Sequence, residues 1–303
     1  MAALEITIWD VNHGSAVHIS TPNGRHIVVD LGDAEDFSPL KELKARGIPY
    51  LDAVFVTHPH RDHLDDIFNF RLLSPQVFYR PRHLSVDQIT VGNRPQDLPV
   101  IRKYLEIDNN FNAPIPQGQN LAAPANFGGV TFQCFSPRLS PTSNLNNHSL
   151  VVVVEYAGLK MILPGDNEAT SWNELLASPQ FVAAVRGADV FLASHHGREA
   201  GYSSELFEAM GKPKLIVISD GRFGETSATG RYSNQATGWT VFDSSGTCDT
   251  RKCVTTRSDG HITIKLGWSA PNSTYRNFIN VTTGKVNQAA LIRRFLACII
   301  HES

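Results

Sequence analysis

The stretch VTHPHRDHLDD at residues 56–66 constrains the fold more than any other segment. It places His58, His60, Asp62 and His63 on one short loop, called the histidine loop below (residues 58–63). The loop follows an almost unbroken apolar run, LDAVFVT, which is typical of a short strand buried on both faces of a sheet. The four polar side chains are therefore predicted to lie at the end of a central strand, where α/β folds place their chemistry.

The rest of the chain alternates between short strands and helices. Strands are predicted at 4–11, 15–20, 26–32, 130–135, 149–158, 159–166, 188–194 and 214–220, with a hairpin at 253–266 that turns at Asp259-Gly260. Helices are predicted at 37–47, 167–178, 203–210 and 286–301. Residues 71–128, rich in Pro, Asn and Gln, are interpreted as an irregular insertion. We expect one domain over residues 1–303, with two mainly antiparallel sheets packed face to face and helices outside, a layered α/β arrangement.

The composition limits the possible functions. The chain has 303 residues, of which 42% are hydrophobic, and this is enough for a large core. Its net charge of -2 excludes a basic surface over the whole protein, so any contact with nucleic acid needs a local patch. No apolar run approaches the roughly 20 residues that cross a bilayer, and the opening MAALEITIWDV lacks a basic signal-peptide start. With four cysteines, too few for a disulfide scaffold, we expect a cytoplasmic protein without membrane contact.

Three further polar sites at strand ends could complete a metal site with the histidine loop. They are His148 before a long apolar strand, Asp166 after the next strand, and the pair His195 and His196 after a third. Each of them alone is most often a solvated loop residue or a turn. Six of the twelve histidines fall in these motifs, however, and a divalent ion takes about four to six ligands. The pattern favours a site for two metal ions.

These motifs resemble those of a known family. HPHRDH, NNHSLVVVVEYAGLKMILPGD and SHHG, with VVDLG upstream, resemble the motifs of the metallo-β-lactamase fold superfamily. WDVNHGSAVHI and TTRSDGHITI are similar to motifs of its ComEC-type competence proteins and their soluble relatives. The resemblance implies a four-layered αββα sandwich with a two-metal site. Three features depart from the pattern: Asn12-His13 replaces Gly-Gln, HLDD replaces HxGG, and the segments 71–128 and 221–250 have no counterpart.

The resemblance also implies roles for individual residues. One metal ion would bind His58, His60 and His148, the other would bind Asp62, His63 and His196, and Asp166 would bridge the two. His195 would contact substrate or support the site, although which of the two adjacent histidines binds metal stays open. Asp30 would hydrogen-bond behind the histidine loop. Asp62, Asp166 and His195 are the predicted catalytic residues. Mixed His and Asp ligands fit Zn²⁺ first, with Mn²⁺ or Fe²⁺ as alternatives.

The resemblance implies a hydrolase, and several features narrow its class. A carboxylate at the bridging position, Asp166, argues against β-lactam hydrolysis. Residues 167–194 leave no room for the inserted domain of the RNA-processing β-CASP enzymes. The ComEC-type motifs favour a phosphodiesterase or nuclease that acts on DNA or nucleotides through a hydroxide shared by two metal ions. The alternatives are a small-ester hydrolase, of the lactonase or choline-phosphate esterase type, and a non-catalytic binding module.

Basic residues of the insertion form one candidate substrate surface. Arg80 and Arg82 follow Phe78 and Tyr79. Basic groups interleaved with aromatics suit a single nucleic-acid strand, because they neutralise phosphates and stack on bases. The alternative is a solvated, mobile insertion with ordinary charges.

A second candidate surface follows the metal motifs. Arg198 and Arg222 come after the SHHG motif and are predicted to clamp a phosphate. The apolar helix predicted at 286–301 either packs against the sandwich or forms a contact in a homo-oligomer.

Overall fold

Two β-sheets lie face to face at the centre of the molecule, and helices cover the outer face of each. The computed structural model describes residues 2–221, 228–269 and 276–284; Arg222 and the helix predicted at 286–301 lie outside the described residues. The strands are β1 (Leu4–Ile8), β2 (Val17–Ser20), β3 (His26–Val29), β4 (Ala53–Phe55), β5 (Val77–Tyr79), β6 (Thr131–Phe135), β7 (Val151–Tyr156), β8 (Leu159–Leu163), β9 (Val190–Leu192), β10 (Leu215–Ile218), β11 (Trp239–Phe242), β12 (Cys248–Arg251), β13 (Cys253–Thr255), β14 (Ile262–Ser269) and β15 (Arg276–Thr283). The α-helices are α1 (Pro39–Ala45), α2 (Val86–Val91), α3 (Leu98–Asp108), α4 (Ala169–Leu176), α5 (Pro179–Val185), α6 (Ser204–Met210), α7 (Thr229–Gln235) and α8 (Thr256–Asp259). None of the helices in these ranges has the length and apolar character needed to cross a bilayer.

The order of the strands shows how each sheet is wound. Over the described ranges, the larger sheet runs β12-β11-β15-β14-β1-β2-β3-β4-β5, and the smaller sheet runs β13-β10-β9-β8-β7-β6. Strands joined by short turns pair antiparallel, as β1 with β2 and β7 with β8 do. Strands separated by a helix pair parallel, as β3 with β4 and β9 with β10 do, because a crossover connection returns the chain to the same end of the sheet. The layered α/β fold class is confirmed. Within the described ranges the larger sheet is mainly antiparallel, as expected, whereas three of the five strand pairs of the smaller sheet are parallel.

Alternation along the strands explains why they are so apolar. In β4, Phe55 points into the core between the two sheets, whereas Val54 points outward into a second core shared with α1 and α3. In β7, Val152 lies between the sheets, and Val153 packs with residues of α4 to α7. A strand that buries both faces needs apolar side chains at consecutive positions. The runs LDAVFV and SLVVVV therefore mark the strands that helices cover.

The segment predicted as a hairpin at 253–266 instead carries the chain from one sheet to the other. β13 pairs with β10 in the smaller sheet, and β14 pairs with β1 in the larger sheet. Asp259 and Gly260 end the short helix α8, where the Asp259 carboxylate accepts hydrogen bonds from Thr255 N at 2.9 Å and Arg251 Nη1 at 2.6 Å. An Asp-Gly pair marks a tight turn, but it does not determine whether the strands on both sides share a sheet.

Arg80 anchors the insertion and does not face a substrate. Its guanidinium donates to the Asp108 carboxylate and to the carbonyl oxygens of Phe78 and Phe111, and only 7% of the residue is exposed. Phe78 is also buried and packs edge-on against Tyr104. The predictions that Arg80 binds substrate and that Phe78 stacks on bases are at odds with these contacts, because both side chains point into the core.

The other two residues of this candidate surface lie differently. Arg82 is exposed, and its Nη2 donates to Asn112 Oδ1 at 2.8 Å. Tyr79 is half-buried and stacks on Phe55, with 4.5 Å between the ring centroids. The aromatic rings next to Arg80 and Arg82 are therefore engaged within the fold.

We expect Arg80→Met to lower the free energy of unfolding by about 1–3 kcal/mol, because the groups that Arg80 pairs would lose their donor. Urea unfolding followed by tryptophan fluorescence would measure the change. Arg82→Met is the matched control, and its surface position predicts a change within about 0.5 kcal/mol. Equal destabilisation of the two variants would contradict the anchoring role of Arg80.

Candidate metal centre

Loops from both sheets bring the predicted metal ligands together. The histidine loop follows β4 in the larger sheet, Asp166 follows β8 in the smaller sheet, and His195 and His196 follow β9. β8 and β9 are parallel neighbours, so their carboxyl ends open at the same edge of the smaller sheet. Ligands that lie far apart in the sequence thus meet where the two sheets face each other.

Gly165 allows the Asp166 loop to approach the histidine loop. A Cβ atom at this position would lie 2.8 Å from Ser149 Cβ and 2.9 Å from Thr57 Cβ, closer than side chains pack. Its φ of 59° also lies in the left-handed region that glycine adopts without strain. The Asp166 N–H donates to Ser149 Oγ at 3.0 Å. This turn holds the Asp166 carboxylate against the histidines.

Asp62, His63, Asp166 and His196 form a compact group, called the four-residue cluster below. One ligand atom from each residue lies within 4.8 Å of the others. His63 Nε2 lies 3.3 Å from both Asp166 Oδ1 and His196 Nε2, and His196 Nε2 lies 3.2 Å from Asp62 Oδ2. Imidazole nitrogens and carboxylates are the donors that Zn²⁺ and related ions take. The cluster therefore fits a divalent metal ion.

His58 and His60 form a second group beside Asp166. His58 Nε2 lies 3.0 Å from His60 Nδ1 and 3.9 Å from Asp166 Oδ2. The other oxygen of Asp166, Oδ1, faces His63. Asp166 thus lies beside both groups, and its Oδ2 also lies 3.4 Å from His196 Nε2.

The electrostatics of the cluster favour a positive charge at its centre. Burial alone would lower the pKa of His196, but the carboxylates of Asp166 and Asp62 more than offset this effect and raise it to about 10. Burial alone would raise the pKa of Asp166, but His196 and His63 hold it well below its usual value. Buried carboxylates need a neighbouring cation. A divalent ion in this place would supply the positive charge that these carboxylates need.

Asp30 supports the cluster from behind. Its Oδ1 accepts a hydrogen bond from Thr57 N at 2.7 Å, and its Oδ2 lies 2.7 Å from His63 Nδ1. A proton on Nδ1 that is donated to Asp30 leaves Nε2 of His63 facing the cluster. His196 is oriented in the same way by the carbonyl oxygen of Ser219, 2.9 Å from its Nδ1. The structure places Asp30 behind the histidine loop, and such contacts fix the orientation of metal-binding rings.

The backbone at the SHHG motif separates its two histidines. His195 and His196 have φ values of 49° and 54°, a left-handed conformation that costs on the order of 1–3 kcal/mol per residue. His196 joins the four-residue cluster. His195 instead places Nδ1 3.0 Å from Glu168 Oε1 and Nε2 3.9 Å from Asp166 Oδ2. Of the two histidines, His196 thus lies among the candidate ligands, and His195 lies beside them.

The contacts of His148 lie outside both groups. Its Nδ1 lies 2.9 Å from His83 Nε2. Burial lowers its pKa, and the backbone of Pro141 and Pro137 partly offsets this effect. In the part of the chain that the structure describes, no hydrogen bond or ion pair joins His148 to the histidine loop. The prediction that His148 binds the first metal ion therefore has no support in these contacts.

A cavity of about 620 Å³ borders the cluster, within the size range of small-molecule sites. Its lining includes Asp62, Asp166 and Arg198. The Arg198 guanidinium donates through Nη2 to His13 Nε2 at 3.1 Å, and its Nη1 lies 3.4 Å from His195 Nε2. Of the arginines predicted to contact substrate, Arg198 is thus beside the metal centre.

The sequence did not single out three residues that line or support this cavity. For His13 the sequence does contain an indication, because Asn12-His13 departs from the Gly-Gln of the family pattern. Asn146 lies in a run of asparagines, and Glu168 begins a helix, where an acidic residue is common. Only the position of these two side chains in the fold distinguishes them from ordinary loop residues.

We expect Asp30→Ala to weaken metal binding by about 10-fold to 100-fold, because the His63 ring would lose the acceptor that orients it. Metal content after equilibrium dialysis against buffered Zn²⁺ would measure the effect, with circular dichroism to verify folding. Asp36→Ala, an exposed change in the following loop, is the control. Full metal content in folded Asp30→Ala would show that the ring does not depend on this carboxylate.

Two curated relatives are similar to this chain. ComE operon protein 3 of Bacillus subtilis (strain 168) is 24% identical over 236 residues, which are 72% of this chain and 28% of that protein. A UPF0173 metal-dependent hydrolase of Chloroflexus aurantiacus is 41% identical over 63 residues, 20% of this chain and 25% of that protein. The chain therefore spans about a quarter of the length of the curated relatives that it matches.

A solved structure and a family model extend the comparison. The structure of a metallo-beta-lactamase-type protein from Thermotoga maritima aligns with a TM-score of 0.38 and 17% identity, covering 68% of this chain and 86% of that chain. The model of the metallo-beta-lactamase superfamily matches residues 9–222. This range contains the histidine loop, Asp166 and both histidines of the SHHG motif. With its sandwich of two sheets and its converging ligands, the chain belongs to the metallo-beta-lactamase superfamily of hydrolases.

Proposed function

We propose that this protein is a two-metal hydrolase that cleaves phosphodiester bonds in DNA or nucleotides. The observation that carries the proposal is the position of Arg198, which lines the same cavity as Asp62 and Asp166. A phosphodiester carries a negative charge that lactones and neutral esters lack, and a guanidinium group binds phosphate oxygens with good geometry. A fixed cation beside a metal cluster therefore favours an anionic substrate.

The ligand groups support two ions. His58, His60 and Asp166 would hold one ion, and the four-residue cluster would hold the other. Two divalent ions, when bound in such a site, polarise a phosphoryl oxygen and make a water molecule acidic enough to react at neutral pH. The mixture of imidazole and carboxylate donors suits Zn²⁺ first, with Mn²⁺ or Fe²⁺ as alternatives.

The residues around the cavity have separate roles in this proposal. Arg198 binds a non-bridging oxygen of the phosphate. Asp62, whose side chain is 28% exposed, accepts a hydrogen bond from the attacking water and orients it. His195 lies beside Glu168 through Nδ1 and lines the same cavity, so its ring would contact the leaving group. Each contact fixes the geometry of a reacting group, which lowers the entropic part of the barrier.

Arg198 is itself held in place. Its two terminal nitrogens contact His13 Nε2 and His195 Nε2. Burial lowers the pKa of His13 to about 4, so this ring is uncharged at neutral pH and can accept a hydrogen bond. A long side chain that is already ordered loses less conformational entropy when the substrate binds. The contacts of Arg198 therefore favour its use as a fixed anion site.

The charges around the rest of the cavity favour a short substrate. Arg61 and Arg94 also line the cavity, but Arg61 lies 2.7 Å from Asp65 and Arg94 lies 2.8 Å from Asp97. A long polynucleotide backbone is usually bound by several cations that are free to neutralise phosphates. A dinucleotide or a strand end needs fewer of them. The similarity to ComE operon protein 3, with the DNA degradation that the ComEC-type resemblance implies, favours DNA.

The paired arginines also support the rival candidate, a small-ester hydrolase. A substrate without a long anionic backbone would need only the metal centre and one polar contact. A lactonase and the proposed phosphodiesterase differ in what Arg198 does, because a lactone has no charge for it to bind.

We expect metal-dependent cleavage of end-labelled single-stranded DNA by the purified protein with Mn²⁺ or Zn²⁺. Asp166→Ala should reduce the rate at least about 100-fold, because Asp166 is shared by both ligand groups. A denaturing gel would measure loss of full-length strand, and its ladder would show the direction of cleavage. Asp249→Ala, at an exposed position of β12, is the control. Intact DNA beside two bound ions would contradict the nuclease and favour small phosphodiesters or lactones.

We expect Arg198→Gln to raise the KM for bis(p-nitrophenyl) phosphate by about 10-fold to 100-fold, because a hydrogen bond to a charged group is lost. Hydrolysis of neutral p-nitrophenyl acetate should change by less than about 2-fold. Steady-state kinetics on both substrates would measure the difference. Arg186→Gln, at an exposed position after α5, is the matched control. An equal loss on both substrates would argue against binding of an anion by Arg198.

A further inference from the structure

The loop before β7 presents two candidate metal ligands that point in different directions. Residues Leu145–His148 form one 3₁₀ turn, in which about three residues complete a circle. Asn146 and His148, two positions apart, therefore face different surroundings. We infer that Asn146 completes the first metal site, with His58, His60 and Asp166, in the place that the resemblance gives to His148. This inference rests on the proposed two-metal site and names its remaining ligand.

The orientation of the Asn146 amide follows from its neighbour. Its Nδ2 donates to Glu168 Oε1 at 3.0 Å. A carboxylate only accepts hydrogen bonds, so the NH₂ end must face Glu168 and the oxygen must be the other end. The Asn146 backbone N–H is bonded to Asn144 Oδ1 at 3.1 Å, which fixes the turn that carries the side chain. Hydrogen bonds therefore fix both the backbone of Asn146 and its amide group.

The oxygen of this amide is unused and close to the metal ligands. Asn146 is 8% exposed, and within the described ranges its Oδ1 has no hydrogen-bond partner. The residue lines the same cavity as His60 and Asp166. Burial lowers the pKa of the His60 ring, and the nearby Asn146 side chain partly offsets this effect. A buried acceptor without a partner costs about 1–3 kcal/mol. A metal ion held by His58 and His60 would remove that cost.

His148 has a different set of contacts. It is fully buried, and its Nδ1 lies 2.9 Å from His83 Nε2, with 5.1 Å between the two ring centroids. Its Nε2 also has no partner among the described residues, but the backbone near this ring is that of Pro137, Ser140 and Pro141. The side chain of His148 therefore belongs to the loop that precedes the strand, and that of Asn146 belongs to the cavity.

The exchange of an imidazole for an amide changes the preference of the site. Amide oxygens are harder donors than imidazole nitrogens, and they suit Mn²⁺ or Mg²⁺ better than Zn²⁺. The first site would then have two imidazoles, one amide oxygen and one shared carboxylate. The four-residue cluster keeps two imidazoles and two carboxylates. The first site should therefore be the weaker of the two for Zn²⁺ and should be filled effectively by Mn²⁺.

The test is a titration of metal-free protein with Mn²⁺, in which electron paramagnetic resonance reads the free ion. We expect two bound ions in the unsubstituted protein. Asn146→Ala should weaken one site at least about 10-fold, because one of its four ligands is lost. Asn146→Asp keeps an oxygen donor and should retain both ions. His148→Asn removes no ligand in this assignment and should retain both ions.

Asn144→Ser is the matched control. Asn144 Nδ2 also donates to Glu168, at 2.8 Å, so this change removes an equivalent contact without touching the proposed ligand. A serine at the N-terminus of the turn can still accept from the Asn146 N–H. Thermal unfolding of each metal-free variant would show that it is folded. Both ions should remain in Asn144→Ser.

Three outcomes would overturn the assignment. They are two unchanged sites in folded Asn146→Ala, loss of an ion in His148→Asn, and an unsubstituted protein that binds fewer than two ions. The titration needs no turnover. A protein that binds two ions as expected but cleaves no phosphodiester would therefore contradict the proposed function and leave the role of Asn146 supported.

Discussion

The metal centre depends on the buried carboxylate of Asp30. This residue is 1% exposed and has a φ of 62°, in the left-handed region. Its oxygens accept hydrogen bonds from the Thr57 N–H and the Thr57 hydroxyl, and Oδ2 also lies 2.7 Å from His63 Nδ1. A buried charge is costly unless it is paired and hydrogen-bonded, and a strained backbone adds to that cost. Both costs are offset because one carboxylate joins the end of β3, the histidine loop and the four-residue cluster into a single unit.

Part of this arrangement could be predicted from the sequence, because it follows from local patterns. A strand buried on both faces and followed by histidines indicates the loop after β4, and polar residues at later strand ends indicate its partners. The direction of a side chain from a 3₁₀ turn has no such pattern, so the sequence could not separate Asn146 from His148. The burial of Arg80 could not be predicted for a similar reason, because its partner Asp108 lies 28 residues later in the chain.

The site also contains a chain of polar contacts that links its parts. Asn146 donates to Glu168, Glu168 lies against His195, and Arg198 contacts both His195 and His13. Networks of this kind behave as units in which each contact depends on the others. Asn146, in the proposed first site, and the arginine proposed to bind phosphate are thus connected through polar side chains. Changes in this chain are expected to be non-additive.

The ligands of the four-residue cluster come from both sheets. Asp62 and His63 are carried by the larger sheet, whereas Asp166 and His196 are carried by the smaller sheet. The apolar layer between the sheets, with Phe55 on one side, therefore sets the distance between the two halves of the centre. Protein interiors are close-packed and barely compressible. The volume of this layer therefore fixes the distance between the ligands of the two sheets. Adding or removing one methyl group in the layer, far from any polar atom, would change that distance and with it the chemistry of the site.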